Sequence, residues 1–344
     1  MLQKVIDNFK RLRTEQFLRQ TFQHQYAFVG MGQHSLTNLY PVLHYLGVPL
    51  KYICVTKEDK AQLIARKYPN VTATTQLDDV LRDKDVAAVF IAASPAAHFS
   101  LAQQVLKAGK ALFIEKPPCL NSNDLEVLNV LGDSKEVLVG LQKRYAPAVR
   151  ILKNRLEKDW MGSVFSYDLH YVTGAYPEGD SLTDLYIHPL DLAIHLFGPA
   201  TVVAARRTSD NSYLLMLEHG KKTVGTVELS TSYTWTSASE TLKICTKKGI
   251  YRLEQLDTLT FESKQASLMG IPLEKVHPTA RSVQYLFARN NFTPTPTNNQ
   301  LYTQGFYDEL LSFTNLVEGR RAQNLTRPDS LVDTFKLIEQ LRSL

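Results

Sequence analysis

The chain has 344 residues, 44% of them hydrophobic and 21% charged, with 39 Lys and Arg against 34 Asp and Glu for a formal net charge of +5. That length spans about two domains of roughly 150 residues each, and the composition excludes a disordered, collagen-like or coiled-coil chain. The charge excess is modest, and no basic stripe with interleaved aromatics marks the body, which argues against a nucleic-acid partner.

Lys4, Lys10, Arg11, Arg13 and Arg19 stand against Asp7 and Glu15 in the first 25 residues. There Leu2, Ile6, Phe9 and Leu12, then Leu18 and Phe22, recur at helical spacing, predicting an amphipathic extension. It is expected to pack on the body or on another subunit, since its polar face is mixed in sign and does not suit a membrane surface. The segment lacks the apolar run of a signal peptide, and no stretch nears the ~20 apolar residues of a membrane span, so a cytoplasmic protein is expected. Cys54, Cys119 and Cys245 are scattered and odd in number. They suggest neither a disulfide framework nor a metal site, and fit a reducing compartment.

From Tyr26 the texture becomes short apolar runs between helical patterns. Strands are predicted at Tyr26–Val29, Tyr52–Val55, Ala88–Ala92, Ala111–Ile114 and Val137–Val139, and helices at 35–46, 58–67, 76–82, 96–108 and 122–131. Strict alternation implies βαβ units and a parallel sheet. After about Arg144 it stops: 163–172, 201–207, 212–218, 223–233, 240–247, 250–253 and 258–263 are β-rich, with turns such as His219-Gly220 and Lys248-Gly249, which reads as an antiparallel sheet. A helical interruption covers 184–198. A Pro/Asn/Thr loop fills 289–300, and helices at about 303–318 and 328–342 close the chain.

Gly30-Met31-Gly32-Gln33-His34-Ser35 follows the first strand and opens the first helix. There the first glycine permits a tight turn and the second lets backbone reach a pyrophosphate, while the helix N-terminus supplies donors and positive dipole charge. Ser35 replaces the third glycine and is still small enough for close helix–strand packing. Pro41 removes one N–H donor, so the helix is expected to kink or start late. The second strand ends in Thr56-Lys57 without the acidic residue that pairs with an NAD ribose; a hydroxyl beside a cation favours NADP, with NAD as the alternative.

Ligand contacts in such a sheet gather at strand carboxyl ends, which makes Ser94, Pro95 and His98 candidates after the fourth strand and Glu115 and Lys116 after the fifth. The run Glu115-Lys116-Pro117-Pro118 behind Ala108-Gly109-Lys110, with Gln142-Lys143-Arg144-Tyr145-Ala146-Pro147 after the sixth strand, resembles the Gfo/Idh/MocA family of NAD(P)-dependent oxidoreductases. The resemblance covers most of residues 26–200. It implies that Lys116 contacts both the substrate hydroxyl and the nicotinamide region. An ammonium there lowers the pKa of an alcohol or donates to a carbonyl oxygen.

Asp184 and His188 stand four apart, so one helical turn lets the carboxylate orient the imidazole, and Asp191 can share that face. The cluster is similar to the family's Asp-x-x-x-His-x-x-Asp helix, with His188 at the acid–base position and Asp184 its partner; His195 reads as packing. Two departures stand out. The glycine-rich lead-in is thinned to Glu178-Gly179-Asp180, and Pro189 sets His188 at a helix boundary.

The expected fold is α/β: a doubly wound Rossmann domain over 26–143, then an α/β substrate domain over 144–315 with a mostly antiparallel sheet. Helices of 316–344 are expected to return to the first domain, and 1–25 form the extension. The expected chemistry is hydride transfer between a nicotinamide cofactor and a secondary alcohol or ketone. His188 takes the hydroxyl proton and Lys116 stabilises the oxyanion. The resemblance implies sugars, cyclic polyols or their derivatives, with Tyr145, Tyr171 and Tyr176 as further substrate contacts and Arg144 as a contact for cofactor or substrate. A free sheet face suggests a homodimer or higher oligomer. Two rivals stand beside this reading: a nucleotide-binding sensor without catalysis, and reduction of a carbon–carbon or carbon–nitrogen double bond.

Overall fold

The computed structural model describes residues 2–18, 21–158, 164–177, 179–220, 222–275, 282–292 and 299–343. Glu178, from the thinned lead-in, and 293–298 of the Pro/Asn/Thr loop lie outside the described residues.

Helix α1 (Leu2–Leu18) ends before Phe22, and its apolar residues are not covered by the body: Leu2 is 76% and Phe9 63% exposed. Packing on its own chain is therefore not what buries this helix. The segment after it is tied down instead, because Glu318 accepts from the Gln23 and His24 amides and from the Tyr26 hydroxyl.

Six strands follow: β1 (Gln25–Val29), β2 (Leu50–Cys54), β3 (Thr72–Thr74), β4 (Val86–Ile91), β5 (Ala111–Glu115) and β6 (Val137–Gly140). They pair in parallel in the order β3-β2-β1-β4-β5-β6, with a crevice where the order reverses between β1 and β4. Between them run α2 (Tyr40–Leu46), α3 (Glu58–Lys67), α4 (Leu77–Arg82), α5 (Pro95–Lys107) and α6 (Ser122–Leu131). Helices on both faces explain why β4 and β6 are continuous apolar runs. Strand β3 was not expected: Thr72-Ala73-Thr74 has no apolar signal and becomes a strand through its pairing with β2. Residues 35–39 form a π turn in which the Tyr40 amide reaches back to the Ser35 carbonyl, so α-helical bonding starts late, beside Pro41.

A 3₁₀ turn (Gln142–Tyr145) leads to α7 (Pro147–Lys158), a helix absent from the sequence reading. Its Ala148, Val149, Leu152 and Leu156 are buried, while Arg150, Lys153 and Arg155 between them mask the stripe. Then come β7 (Val164–Val172), α8 (Ser181–Asp184), α9 (Ile187–Phe197), β8 (Ala200–Ser209), β9 (Ser212–His219), β10 (Thr223–Ser230), β11 (Ser239–Thr246), β12 (Gly249–Glu254) and β13 (Thr258–Ser263). A two-stranded ribbon, β14 (Ser267–Leu268) with β15 (Ile271–Pro272), precedes β16 (Val283–Ala288). The second sheet runs β16-β13-β12-β11-β7-β10-β9-β8 and is antiparallel except for β7 beside β10. Tyr167 and Leu169 of β7 are buried in the core, whereas Asp168, His170 and Lys243 lie on an open face.

Helices α10 (Gln300–Thr303), α11 (Phe306–Val317) and α12 (Val332–Arg342) complete the chain. Phe313 of α11 is fully buried, its ring 5.2 Å from Phe90 and 5.9 Å from Phe113. Helix α12 lies against α9, β8 and α6, and its Glu339 caps α6 by accepting from the Ser122 amide at 2.9 Å.

Candidate active site

Gly30 ends β1 with φ +89°, and a Cβ there would stand 2.3 Å from the Ala92 carbonyl oxygen. The loop thus crosses the end of β4 at a distance only glycine tolerates. Around Gly32 the opposite holds: nothing lies within 4 Å of the Cβ position, so its face opens into space. Ser35 is buried, as a small residue must be where helix and strand approach closely. A cradle that a side chain at Gly32 would fill, at the switch point of a parallel sheet, fits a dinucleotide pyrophosphate.

One cavity of about 1110 Å³ runs from this loop in both directions. Towards β2 and α3 it is lined by Thr56, Lys60 and Thr75; past Ser94 and His98 it reaches Glu115, Lys116, Lys143, Tyr171, His188, Trp235 and Glu240. Among the described residues, the carboxylates lining it come from β5 and β11 and none from the end of β2.

The reactive end is dense with charge. His34 Nε2 sits 3.2 Å from the Glu115 carboxylate. Burial opposes the charged form of His34, but Glu115 outweighs it and raises the imidazole's pKa. Burial likewise works against ionised Glu115, yet His34 and Lys116 hold its pKa down. Lys116 is pulled below the ordinary lysine range, first by burial and then by Lys143. Its ammonium donates to the main-chain oxygen of Asp184.

His188 lies in the first turn of α9. Burial, then the ammonium groups of Lys116 and Lys143, push its pKa well below the usual histidine value, so the ring is neutral at neutral pH. Its Nδ1 is buried and has no hydrogen-bond partner among the described residues. Lys143, buried, donates to Glu240 Oε2 at 2.5 Å and is ion-paired with Oε1 at the same distance, but Oε1 has no hydrogen-bond partner among the described residues.

The structure separates several residues the sequence had grouped. Asp184 ends α8 while His188 belongs to α9, and the break turns the carboxylate away: Thr183 Oγ1 donates to it at 3.4 Å. It therefore does not orient the imidazole. Asp191 is taken by Arg144, whose Nε and Nη2 reach its two oxygens at 2.8 and 2.5 Å, with Leu325 and Ser330 accepting from Nη1. Arg144 is thus a buried strut and lines no part of the cavity. Tyr145 is also core, its hydroxyl accepting from the Leu325 amide. Tyr176 packs against the core outside the cavity lining. Lys57 is exposed at the start of α3, and Pro95 opens α5; neither lines the cavity. His195 is partly buried, and its carbonyl accepts from Lys153 at 2.6 Å. Gly30, Met31, Gly32, Gln33, His34, Ser35, Thr56, Ser94, His98, Glu115, Lys116, Tyr171 and His188 do share the cavity.

The sequence reading missed Lys60, Thr75, Trp235, Glu240 and Gln304, and passed over Lys143 between Gln142 and Arg144. Lys143 carried the one usable signal, a lysine inside a motif already singled out. The others are isolated residues from remote elements.

Comparison with known proteins gives two adjoining family matches: residues 24–142 match the model described as "Oxidoreductase family, NAD-binding Rossmann fold", and residues 153–331 that described as "Oxidoreductase family, C-terminal alpha/beta domain". The chain is 27% identical over 258 residues to the oxidoreductase YceM of Salmonella typhimurium, covering 71% of this chain and 80% of that one. It is 28% identical over 178 residues to an inositol 2-dehydrogenase/D-chiro-inositol 3-dehydrogenase of Lactiplantibacillus plantarum, about half of each chain. In fold it is similar to a dehydrogenase from Chromobacterium violaceum, with TM-score 0.76, 19% identity and 93% and 94% of the two chains covered.

Proposed function

The chain belongs to the Gfo/Idh/MocA oxidoreductase family, and on that premise we propose that it transfers hydride between NADP and a secondary alcohol or ketone of a sugar or cyclic polyol. The observation that carries this reading is that Lys116 and His188 line the same cavity as the glycine loop. Similarity to an inositol dehydrogenase supports a cyclic polyol.

The residues present fit the cofactor. Gly30 to Ser35 would hold the pyrophosphate, and Thr56 with half-buried Lys60 would meet a 2′-phosphate. The bound nicotinamide supplies the hydride acceptor or donor. The chain's own work is proton and charge management. His188 is the proton acceptor: burial, then the ammonium groups of Lys116 and Lys143, keep its imidazole unprotonated and so free to receive the hydroxyl proton as hydride leaves. The Lys116 ammonium stabilises the oxygen from which that proton departs, a preorganised charge in a place shielded from water. Asp184 serves through its main chain, as the group that aims Lys116. The open face of the second sheet supports pairing of two copies, which sedimentation of the purified protein tests.

Calorimetric titration with NADPH and NADH, followed by a polyol and sugar panel with the tighter cofactor, tests the enzyme reading. Binding of one cofactor and turnover that His188→Asn reduces at least 100-fold are expected. Failure of both cofactors to bind a preparation that carries none removes the reading. Unaltered turnover in His188→Asn removes the base.

A further inference from the structure

The segment leading from β10 into β11 forms a wall of the reactive end that the proposed chemistry leaves unused. Trp235 lies in the connection and Glu240 at the start of β11, and both line the cavity. Resting on the dehydrogenase reading above, we infer that this segment selects a neutral, ring-shaped polyhydroxylated substrate: Glu240 accepts from its hydroxyl groups and turns away carboxylate-bearing analogues, while Trp235 stacks against the ring.

Glu240 is fixed at side chain and backbone alike. Lys143 donates to Glu240 Oε2 at 2.5 Å, while Oε1, buried, has no hydrogen-bond partner among the described residues. On its other side the ammonium lies 4.6 Å from the centre of the Tyr171 ring, a cation–π contact. Both partners line the cavity, with 6% of the Lys143 side chain and 12% of the Glu240 side chain exposed. Each carboxylate oxygen has two acceptor positions. Lys143 uses one on Oε2 and Oε1 is unpartnered, which leaves acceptor positions on both oxygens for hydroxyl donors.

The backbone is held by Gln255, whose amide donates to the Glu240 carbonyl at 2.8 Å and whose Oε1 accepts from the Glu240 amide at 3.3 Å. Gln304 donates in turn to the Gln255 carbonyl at 2.8 Å. Gln255 and Leu256 sit at φ +52° and +58° in the turn joining β12 to β13, where a tight hairpin needs both residues left-handed, and Leu256 anchors that turn in the core.

Trp235 Nε1 donates to the Ala175 carbonyl at 3.0 Å, and the indole seats on Gly174, where a Cβ would stand 2.3 Å from Cδ1. With its edge anchored, the ring is still 54% exposed beside the cavity. An aromatic face is electron-rich and attracts the polarised C–H bonds on one side of a saturated ring. An acceptor-only carboxylate suits hydroxyl donors, and its unpartnered Oε1 disfavours a second anion placed beside it.

The test uses the holoprotein with NADP+ and a panel of myo-inositol, D-glucose and D-glucuronate, on wild type, Glu240→Gln, Lys143→Met/Glu240→Gln, Trp235→Ala and Trp235→Phe. Wild type should favour the neutral members over glucuronate. Glu240→Gln frees the Lys143 ammonium and should move the kcat/KM ratio towards glucuronate by at least tenfold. The double variant, with no charge left unpaired, keeps the measurement open should the single variant fold poorly. It should lose discrimination in either direction. Trp235→Ala should raise KM about tenfold with kcat within threefold, and Trp235→Phe should restore most of it. In a Trp160→Phe background, emission from Trp235 should change on adding myo-inositol to the protein already saturated with NADP+. A ratio unmoved in both Glu240 variants, or a wild type that prefers the acid, overturns the inference and leaves the dehydrogenase reading standing. Cofactor binding without turnover of any panel member or of a wider alcohol set overturns both.

Discussion

Arg144 grips Asp191 through two hydrogen bonds of 2.8 and 2.5 Å, with 4% and 2% of their side chains exposed. The pair links the 3₁₀ turn after the first sheet to the helix that carries His188, and Thr334 of α12 adds a third bond to the same carboxylate at 3.0 Å. Removing one partner strands a buried charge. Asp191→Asn or Arg144→Met should cost about 3–5 kcal/mol, read as a lower denaturant midpoint. Arg144→Met/Asp191→Asn should cost clearly less than the two single changes together. Additive losses would mean that the residues act independently.

His195 has a pKa lowered to about 4, first by burial and then by Arg144 and Lys153. Between pH 6.5 and about 4 the unfolded chain binds a proton there that the folded chain does not, so stability falls as pH falls. Replacing His195 with Gln removes this loss. The gap in unfolding free energy between wild type and His195→Gln should move by about 1–2 kcal/mol in favour of the variant from pH 7 to pH 5, as measured by urea unfolding at both. A gap constant with pH would contradict the buried neutral ring.

Lys60 lines the cavity one helical turn beyond Lys57, which does not. If a 2′-phosphate meets it, Lys60→Ala should weaken NADPH about 10- to 100-fold, the equivalent of one charge-assisted bond, and leave NADH within threefold. Lys57→Ala should change neither. Thr56→Asp should turn preference towards NADH. Calorimetry with the two cofactors reads all three variants.

The two glycines of the cradle should respond differently. Gly30→Ala forces a Cβ against the Ala92 carbonyl at positive φ, and should lower thermal stability as well as abolish cofactor binding. Gly32→Ala meets no protein atom, so the melting temperature should hold while cofactor affinity drops. Equal stability losses in both would contradict the open face at Gly32.

Much of this was legible because local chemistry and global position agree in the first sheet. Runs such as Val86–Ile91 are buried on both faces and so are apolar throughout, and Gly30 and Gly32 mark a backbone need that no other residue meets. That Lys116 and His188 line the cavity was readable for the same reason, each sitting in a short motif at a strand or helix end. Legibility failed where tertiary pairing overrides the local signal. Thr72-Ala73-Thr74 is a strand only because β2 lies beside it. Asp184 and His188 have the spacing of one helical turn, but the chain breaks between α8 and α9 and the two side chains part. Arg144 advertises a ligand contact in sequence, yet its partner Asp191 lies 47 residues away and closes the guanidinium inside the protein. Glu240 and Lys143, 97 residues apart, had no common motif to betray them.

The parallel pairing of β7 with β10 also sets an order of assembly. Strand β7 is central in the second sheet, flanked by β10 and β11, and cross-strand neighbours His170 and Glu228 are 58 residues apart. During synthesis β7 must wait, unpaired on both edges, until those later strands emerge, whereas the first sheet has all its strands by Gly140. Growth from the ribosome therefore completes the nucleotide-side sheet first, and the waiting edge of β7 is the point at which a chaperone has most to protect.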